Sequence, residues 1–125
     1  MDRRHAPRLG IACEAAGQPG RAEAAYRRSL EAAGGIPLFR AWAAGRLGAV
    51  LACQGRPGEA APHVQAALAG GTPLTCHEAR WAHAELLASQ GDDAACRATA
   101  ATAMDQAQDG GYLVLVPRLR ELARR

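Results

Sequence analysis

The residues of this sequence best suited to chemistry are Cys76, His77 and His83, because thiolates and imidazoles are common metal ligands. Cys76 and His83 are seven residues apart and would share a helix face, whereas helical metal ligands more often sit three or four apart. With no further ligand in view, we expect no metal and no other cofactor. The chain also has no GxSxG, P-loop, HExxH or glycine-rich dinucleotide motif. These observations predict that the protein is not an enzyme.

The charge and the cysteines narrow the class of protein further. The net charge is only +3, which does not call for a nucleic-acid partner. All 15 basic residues are arginine, and with so much Ala and Gly this is typical of GC-rich bacterial coding. The four cysteines are too widely spaced for a disulfide framework or a zinc finger. The sequence shows neither a membrane-spanning apolar run nor the apolar stretch of a signal peptide, so we expect a cytoplasmic protein with no membrane partner.

The composition favours helices. Hydrophobic residues make up 49% of the chain, mostly as alanine, while aromatic residues make up only 4%. Alanine has the highest helix propensity, and β-branched and aromatic residues, which favour strands, are scarce. The sequence therefore predicts an all-α protein.

Two fourteen-residue segments have similar sequences, GQPGRAEAAYRRSL from Gly17 and GRPGEAAPHVQAAL from Gly55. At this shift of 38 residues, Pro19 falls on Pro57. A further shift of 36 residues brings Gly55 onto Gly91 and gives a third, weaker copy. Self-similarity at such a period predicts a solenoid of stacked supersecondary units.

Glycines and prolines divide each unit into two helices, which we call helix A and helix B. A glycine after helix A can take a positive φ and end that helix, and a proline in the first turn of helix B loses no hydrogen bond. The predicted helices span about 7–16, 19–33, 37–54, 58–69, 74–90 and 92–108. Asp92 or Asp93 is the predicted N-cap of the last of these. Pro62 would interrupt the fourth, so we expect that helix to begin late or to be distorted.

Small residues occupy equivalent positions in different units. They are Gly10, Gly48 and Ala84 on the A helices, and Ala22, Ala60 and Cys96 on the B helices. Small side chains there would let two helix backbones approach closely, while larger apolar residues fill the space around them.

This pattern resembles the tetratricopeptide repeat (TPR), a helix–turn–helix unit of about 34 residues. The family has Leu-Gly in helix A, Gly at the turn, and small and aromatic residues spaced along helix B. The matching residues are Leu9-Gly10, Gly17, Ala22, Tyr26 and Leu30 in the first unit, Leu47-Gly48, Leu51, Gly55, Ala60, Val64 and Leu68 in the second, and Leu87, Gly91, Cys96, Ala103 and Met104 in the third. The resemblance implies a TPR-like α-solenoid of about three repeats, at about 3–36, 41–74 and 77–110, within a single domain spanning 3–125.

The C-terminal segment GYLVLVPRLRELARR predicts an amphipathic helix over about 112–125. Leu113, Val116, Leu119 and Leu122 form an apolar stripe at helical spacing, and arginines occupy the other side. We expect this helix to cap the open end of the solenoid. The alternative is a basic amphipathic helix that binds a membrane or nucleic acid.

The resemblance implies that helix A side chains line the concave face of the solenoid. Carried over residue by residue, these side chains are Arg4, Arg8, Ile11 and Glu14, then Trp42, Arg46, Ala49 and Cys53, then Glu78, Trp81, Glu85 and Ser89. The predicted partner-binding residues among them are Arg8, Ile11, Glu14, Trp42, Arg46, Trp81 and Glu85. Arg and Trp often anchor interfaces, although both tryptophans have packing in the core as an alternative.

Some TPR proteins bind the C-terminal carboxylate of a peptide with paired Lys and Asn. The corresponding positions here are Pro7, Ile11, Arg46, Glu78 and Ala82, and only Arg46 suits that role. We therefore expect no such clamp. Acidic groups of a partner would instead meet Arg8 and Arg46, with tryptophan stacking beside them.

Three functions remain open at this stage. The first is a non-enzymatic protein–protein interaction module that binds a peptide or a partner helix in the concave groove. The second is a sensor or regulatory fragment, because arrays rich in Ala, Arg and Leu look like the C-terminal region of MalT/LuxR-type bacterial transcription regulators. The third is self-association, with a homodimer formed through the ends of the repeat stack.

Overall fold

The computed structural model describes residues 17–70, 72 and 75–125. These residues form six α-helices and no β-strand, which confirms the all-α prediction for this part of the chain. The helices are α1 (Pro19–Ala33), α2 (Pro37–Cys53), α3 (Pro57–Ala69), α4 (Cys76–Ser89), α5 (Asp93–Gly110) and α6 (Val116–Leu122). The predicted helix over 7–16 lies outside the described residues.

The turn glycines take the backbone conformation that the repeat predicts. Gly17, Gly55 and Gly91 have φ angles of 69°, 73° and 79°, in the left-handed region that favours glycine. Pro19 and Pro57 lie two residues after Gly17 and Gly55, and each of these prolines is the first residue of a helix. The third B helix begins differently, because the side chain of Asp92 accepts a hydrogen bond from the backbone N–H of Ala95 at 3.2 Å.

Pro62 does not delay the start of α3, so the late start that the sequence offered as one alternative is wrong. The helix begins at Pro57 and continues through Pro62 to Ala69. A proline at this position removes the hydrogen bond to the carbonyl of Gly58. Both Pro62 and Gly58 are exposed, so water can reach the carbonyl that loses its partner. The proline is therefore tolerated within the helix at the solvent side.

The helices pack in an order that follows the chain. Each helix contacts the next one from α1 to α6, and in addition α2 contacts α4 and α4 contacts α6. The core between them contains few large side chains. Those that are fully buried are Tyr26, Leu47, Leu51, Val64, Cys96, Leu119 and Leu122. Alanine supplies much of the remaining buried surface, and its small side chain allows neighbouring helix backbones to lie close together.

The close approach predicted at Gly48 is confirmed. A Cβ built on Gly48 would lie 2.8 Å from Cγ2 of Val64 and 3.4 Å from the carbonyl oxygen of Ala60. Ala22, Ala60, Ala84 and Cys96, which the repeat places at equivalent positions, are all fully buried. Glycine at position 48 thus brings α2 against the backbone of α3.

The C-terminal helix α6 is shorter than the apolar stripe suggests. Val116, Leu119 and Leu122 are buried, as predicted, but Leu113 precedes the helix and is 63% exposed. Pro117 lies in the first turn of α6, where its missing N–H costs no hydrogen bond. A helix that began at position 112 would place this proline in its interior. No helix among the described residues is long and apolar enough to cross a membrane.

Candidate functional site

Arg46 on α2 lies between the two tryptophans of the chain. Its guanidinium carbon is 5.7 Å from the ring centroid of Trp42 and 5.1 Å from that of Trp81. Its Nε donates a hydrogen bond to Oε2 of Glu78 on α4 at 3.2 Å. Only 12% of the Arg46 side chain is exposed. Cation–π contacts and an ion pair therefore hold this arginine at the junction of α2 and α4.

The two tryptophans occupy different environments. Trp42 is half-buried and meets Tyr26 edge to face, with ring centroids 5.8 Å apart and an interplanar angle of 75°. Trp81 is only 5% exposed, and its Nε1–H donates to Oε2 of Glu85 at 3.1 Å. Both rings contribute to packing, and the Trp81 ring also reaches a cavity wall, as described below.

Glu85 is a buried carboxylate with a long-range partner. Arg118 on α6 donates from Nε to Oε2 at 2.9 Å and from Nη2 to Oε1 at 2.7 Å. The Arg118 Nη1 donates to Glu121 at 3.0 Å. The hydrogen bonds that Arg118 donates to Glu85 are the largest cause that raises the pKa of Arg118 above its ordinary value, against the effect of burial. The Glu85 side chain is 4% exposed and that of Arg118 is 43% exposed, so the pair joins the interior of α4 to the surface of α6.

A cavity of about 470 Å³ opens between α2, α4 and α6. Its wall consists of Gly17, Gln18, Pro19, Arg46, Ala49, Val50, Cys53, Trp81, Glu85, Leu115 and Arg118. Most of the wall that the described residues form is apolar, and the charged groups among these residues are two guanidiniums and one carboxylate. We call this cavity, defined by these residues, the α2–α4–α6 cavity.

The structure brings together three of the predicted partner-binding residues. Arg46, Trp81 and Glu85 line the α2–α4–α6 cavity. Trp42 does not line it but supports Arg46 from the neighbouring side. The other predicted residues, Arg8, Ile11 and Glu14, lie outside the described residues. Ala49 and Cys53, which the resemblance also places on the concave face, contribute to the same wall.

Sequence reasoning missed Arg118. Its position in the C-terminal segment suggested only the solvent side of an amphipathic helix. Reaching the cavity requires α6 to fold back against α4, and no period in the sequence reports that contact. The sequence analysis placed Glu85 on the concave face, and only its burial in the structure shows that this carboxylate needs a cationic partner.

A second cavity, of about 500 Å³, lies among α1, α2 and α3. Its wall consists of Leu30, Pro37, Arg40, Ala41, Ala44, His63, Ala66 and Gly70. Trp42, Arg46, Trp81 and Glu85, the predicted partner-binding residues that the structure describes, do not line it. Burial and the nearby Arg27 lower the pKa of His63, so this imidazole favours its neutral form.

The residues considered as metal ligands do not form a cluster. His77 is buried and stacks on Tyr112, with ring centroids 4.7 Å apart and an interplanar angle of 4°. In the part of the chain that the structure describes, no three His, Cys, Asp or Glu side chains are grouped so that they could hold a metal ion. His77 is thus engaged in packing the end of α5 against the start of α4.

Comparisons with protein-family models, curated proteins and solved structures found no match to this chain.

Proposed function

We propose that the chain is a TPR-like α-solenoid. The support is the agreement between repeat and helices: Gly17, Gly55 and Gly91 each take a positive φ before a B helix, and Pro19 and Pro57 open the first two B helices. A second support is that α2 contacts α4 and α4 contacts α6, so these helices form a row of A-type helices. Stacked helix–turn–helix units pack in such rows. In this arrangement α6 takes the place of a further A helix and caps the stack.

We further propose that the protein is a non-enzymatic interaction module that binds a peptide or a partner helix. The observation that carries this proposal is the α2–α4–α6 cavity. It lies along the row of A-type helices, and its apolar wall includes Trp81 beside the charged groups of Arg46 and Glu85. An apolar recess with a few fixed polar groups suits an anchoring side chain of a partner.

The test is a selection from a displayed library of random dodecapeptides, with a variant that fills the cavity. Cys53 is exposed at the end of α2 and lines the cavity, so Cys53→Phe would place a phenyl ring there. Ala101→Phe is the matched control, because Ala101 is exposed on α5 and is not part of the wall. We expect the wild type and Ala101→Phe to enrich the same peptides and Cys53→Phe to lose them, with all three equally helical by circular dichroism. Enrichment of the same peptides by Cys53→Phe would place binding elsewhere.

The second candidate is a sensor or regulatory region of the MalT/LuxR type. The cavity volume favours it, because about 470 Å³ falls within the roughly 300–1,000 Å³ typical of small-molecule sites. A ligand that binds only the folded state raises the unfolding temperature. In a thermal-shift screen of small molecules, a sensor would show shifts that Cys53→Phe abolishes, and a peptide module would show none.

A further inference from the structure

The imidazole of His77 has a buried ring nitrogen without a hydrogen-bond partner. His77 is 4% exposed, and its Nδ1 has no such partner in the part of the chain that the structure describes. Its Nε2 lies 3.9 Å from Oε1 of Glu78. The neutral tautomer with its hydrogen on Nε2 suits these surroundings, because that N–H faces a carboxylate and Nδ1 then has no hydrogen to donate.

A second proton on this ring would create a buried N–H that has no acceptor among the described residues. A protonated imidazole is a donor at both nitrogens, and the face of Tyr112 attracts its positive charge but offers no acceptor in the plane of the Nδ1–H. Burial is the largest effect on the pKa of His77 and lowers it, Glu78 on the same helix raises it, and Arg46 on α2 lowers it. Tyr112 is the titratable group that faces His77 from beyond the end of α5. The buried position therefore favours the neutral ring.

Tyr112 is the outer layer over His77. Its ring lies parallel to the imidazole, with centroids 4.7 Å apart, and Tyr112 is 37% exposed. It belongs to residues 111–115, which we call the α5–α6 connection. Leu113 and Val114 in this connection are 63% and 87% exposed, so they add little packing. The stack and a hydrogen bond of 2.7 Å from the Tyr112 N–H to the carbonyl of Ala107 hold the start of the connection.

The α5–α6 connection ends in the wall of the α2–α4–α6 cavity. Leu115 lines that cavity and is 8% exposed. Its carbonyl accepts a hydrogen bond of 2.9 Å from the N–H of Leu119 in α6. Only Leu113 and Val114 separate Leu115 from Tyr112, so a displacement of the stacked ring reaches the cavity wall along a short stretch of chain.

We propose that the stack of His77 on Tyr112 is a pH-sensitive latch. While His77 is neutral, the stack holds the α5–α6 connection against α4. Protonation of His77 releases the connection together with Leu115, because the uncovered ring donates from Nδ1 to water. The α2–α4–α6 cavity then loses part of its apolar wall in acid. This inference concerns the shape of the cavity and does not depend on what the cavity binds.

Hydrogen exchange measured by NMR on the full chain tests the latch at pH 7.5 and pH 5. The reporters are the Tyr112 N–H, bonded to Ala107, and the Leu119 N–H, bonded to Leu115. The protection of each amide is the rate expected for an unfolded chain at the same pH divided by the measured rate. We expect both protections to fall by up to about 30-fold at pH 5, because a released imidazole with the ordinary pKa of 6.5 binds a proton there and the buried ring does not.

The amide of Leu51 separates this local opening from unfolding of the whole chain. Leu51 is fully buried in α2, so its amide exchanges only when the core opens. It should stay better protected than the Tyr112 amide at both pH values.

Two variants of α4 assign the effect to His77. His77→Phe keeps a flat ring but takes up no proton, so the protection of the Tyr112 amide should be equal at both pH values. His83→Phe is the matched control, because His83 lies six residues further along the same helix and burial lowers its pKa as well. This control should retain the fall at pH 5.

A third variant opens the latch from the side of α5. A Cβ on Gly110 would lie 2.5 Å from Cε2 of Tyr112, so Gly110→Ala should push the ring off His77. We expect the His77 imidazole, followed by NMR, to titrate closer to pH 6.5 in this variant than in the wild type. The Tyr112 amide should already be less protected at pH 7.5.

Each remaining outcome overturns the inference. Equal protection of the wild-type Tyr112 amide at pH 7.5 and pH 5 would show that the stack stays closed in acid. A fall that persists in His77→Phe would assign the proton to another group, and a fall at Tyr112 without one at Leu119 would separate the stack from the cavity wall. If Leu51 is no better protected than Tyr112, the whole fold opens and there is no local latch.

Discussion

Glu85 and Arg118 are 33 residues apart in the chain but form two parallel hydrogen bonds, of 2.7 and 2.9 Å, between α4 and α6. The indole N–H of Trp81 donates to the same carboxylate, so one buried acid connects the cavity wall to the C-terminal helix. The apolar contacts of Leu119 and Leu122 hold α6 on the core, whereas the ion pair sets where its arginine points. The shape of the α2–α4–α6 cavity therefore depends on this pair.

Arg118→Ala should lower the free energy of unfolding by about 2 kcal/mol. Removing one partner of a buried ion pair leaves an uncompensated charge, and the cost falls below the usual 3–5 kcal/mol because Arg118 itself is partly exposed. The double variant Glu85→Gln, Arg118→Gln removes the buried charge and should recover at least half of the loss. Urea unfolding followed by circular dichroism measures all three proteins. Equal losses in the single and double variants would mean that the charge of Glu85 is not the cause.

Gly48→Ala should destabilise the protein, whereas Gly58→Ala should not. A Cβ at position 48 would lie 2.8 Å from Val64, and overpacking of this kind costs roughly 1–3 kcal/mol, more than the gain of up to about 1 kcal/mol in helix propensity. A Cβ at Gly58 would meet nothing within 4 Å, so only the propensity gain applies there. The midpoints of urea unfolding compare the two variants. Similar midpoints would show that α2 and α3 can separate without penalty.

Local features of the fold were predictable because they depend on short stretches of chain. The repeat placed Gly17, Gly55 and Gly91 at turns that require a positive φ, and all three have one. The N-cap role of Asp92 could be predicted because it depends only on the helix that follows this residue. A late start of α3, one of the two effects expected of Pro62, was wrong because the rule for proline ignores which side of the helix faces water. Burial of each tryptophan was left open, since a large side chain on an A helix suits both core and groove.

The long-range part of the site could not be predicted in the same way. The repeat orders helices along the stack, but it carries no information on where a non-repeating segment docks. Arg118 belongs to such a segment, and its contact with Glu85 follows from the burial of Leu119 and Leu122 against the last unit. The volume of the α2–α4–α6 cavity likewise depends on where α6 docks, so it could not be predicted from the repeat.

Pro62→Ala should raise the free energy of unfolding by about 1 kcal/mol or more. Proline within a helix removes one hydrogen bond, here to the carbonyl of Gly58, and costs up to about 3 kcal/mol relative to alanine. Since water can reach that carbonyl, the recoverable part is smaller. Thermal unfolding monitored by circular dichroism gives the change in midpoint. Pro57→Ala is the control, because a proline at the first position of α3 loses no hydrogen bond and its replacement should bring little gain.

The pH dependence of stability should report on His77. Its Nδ1 is buried and has no hydrogen-bond partner among the described residues, and burial lowers its pKa below 6.5, aided by Arg46 and opposed by Glu78. Above pH 6.5 His77 is neutral in both the folded and the unfolded state, so its contribution to stability is fully present. As the pH falls through 6.5 towards the folded-state pKa, the unfolded state binds the proton first, and stability decreases by up to about 1.4 kcal/mol per pH unit.

His77→Phe tests this assignment because phenylalanine keeps a flat ring against Tyr112 but cannot be protonated. Urea unfolding at pH 7.5 and at pH 5 should show a smaller loss of stability in the variant than in the wild type. Burial also lowers the pKa values of His63 and His83, so part of the acid loss should persist in His77→Phe. An unchanged loss would mean that the stack of His77 on Tyr112 accepts a proton as readily as the unfolded chain does. In that event the end of α5 would hold its position against α4 in acid as well.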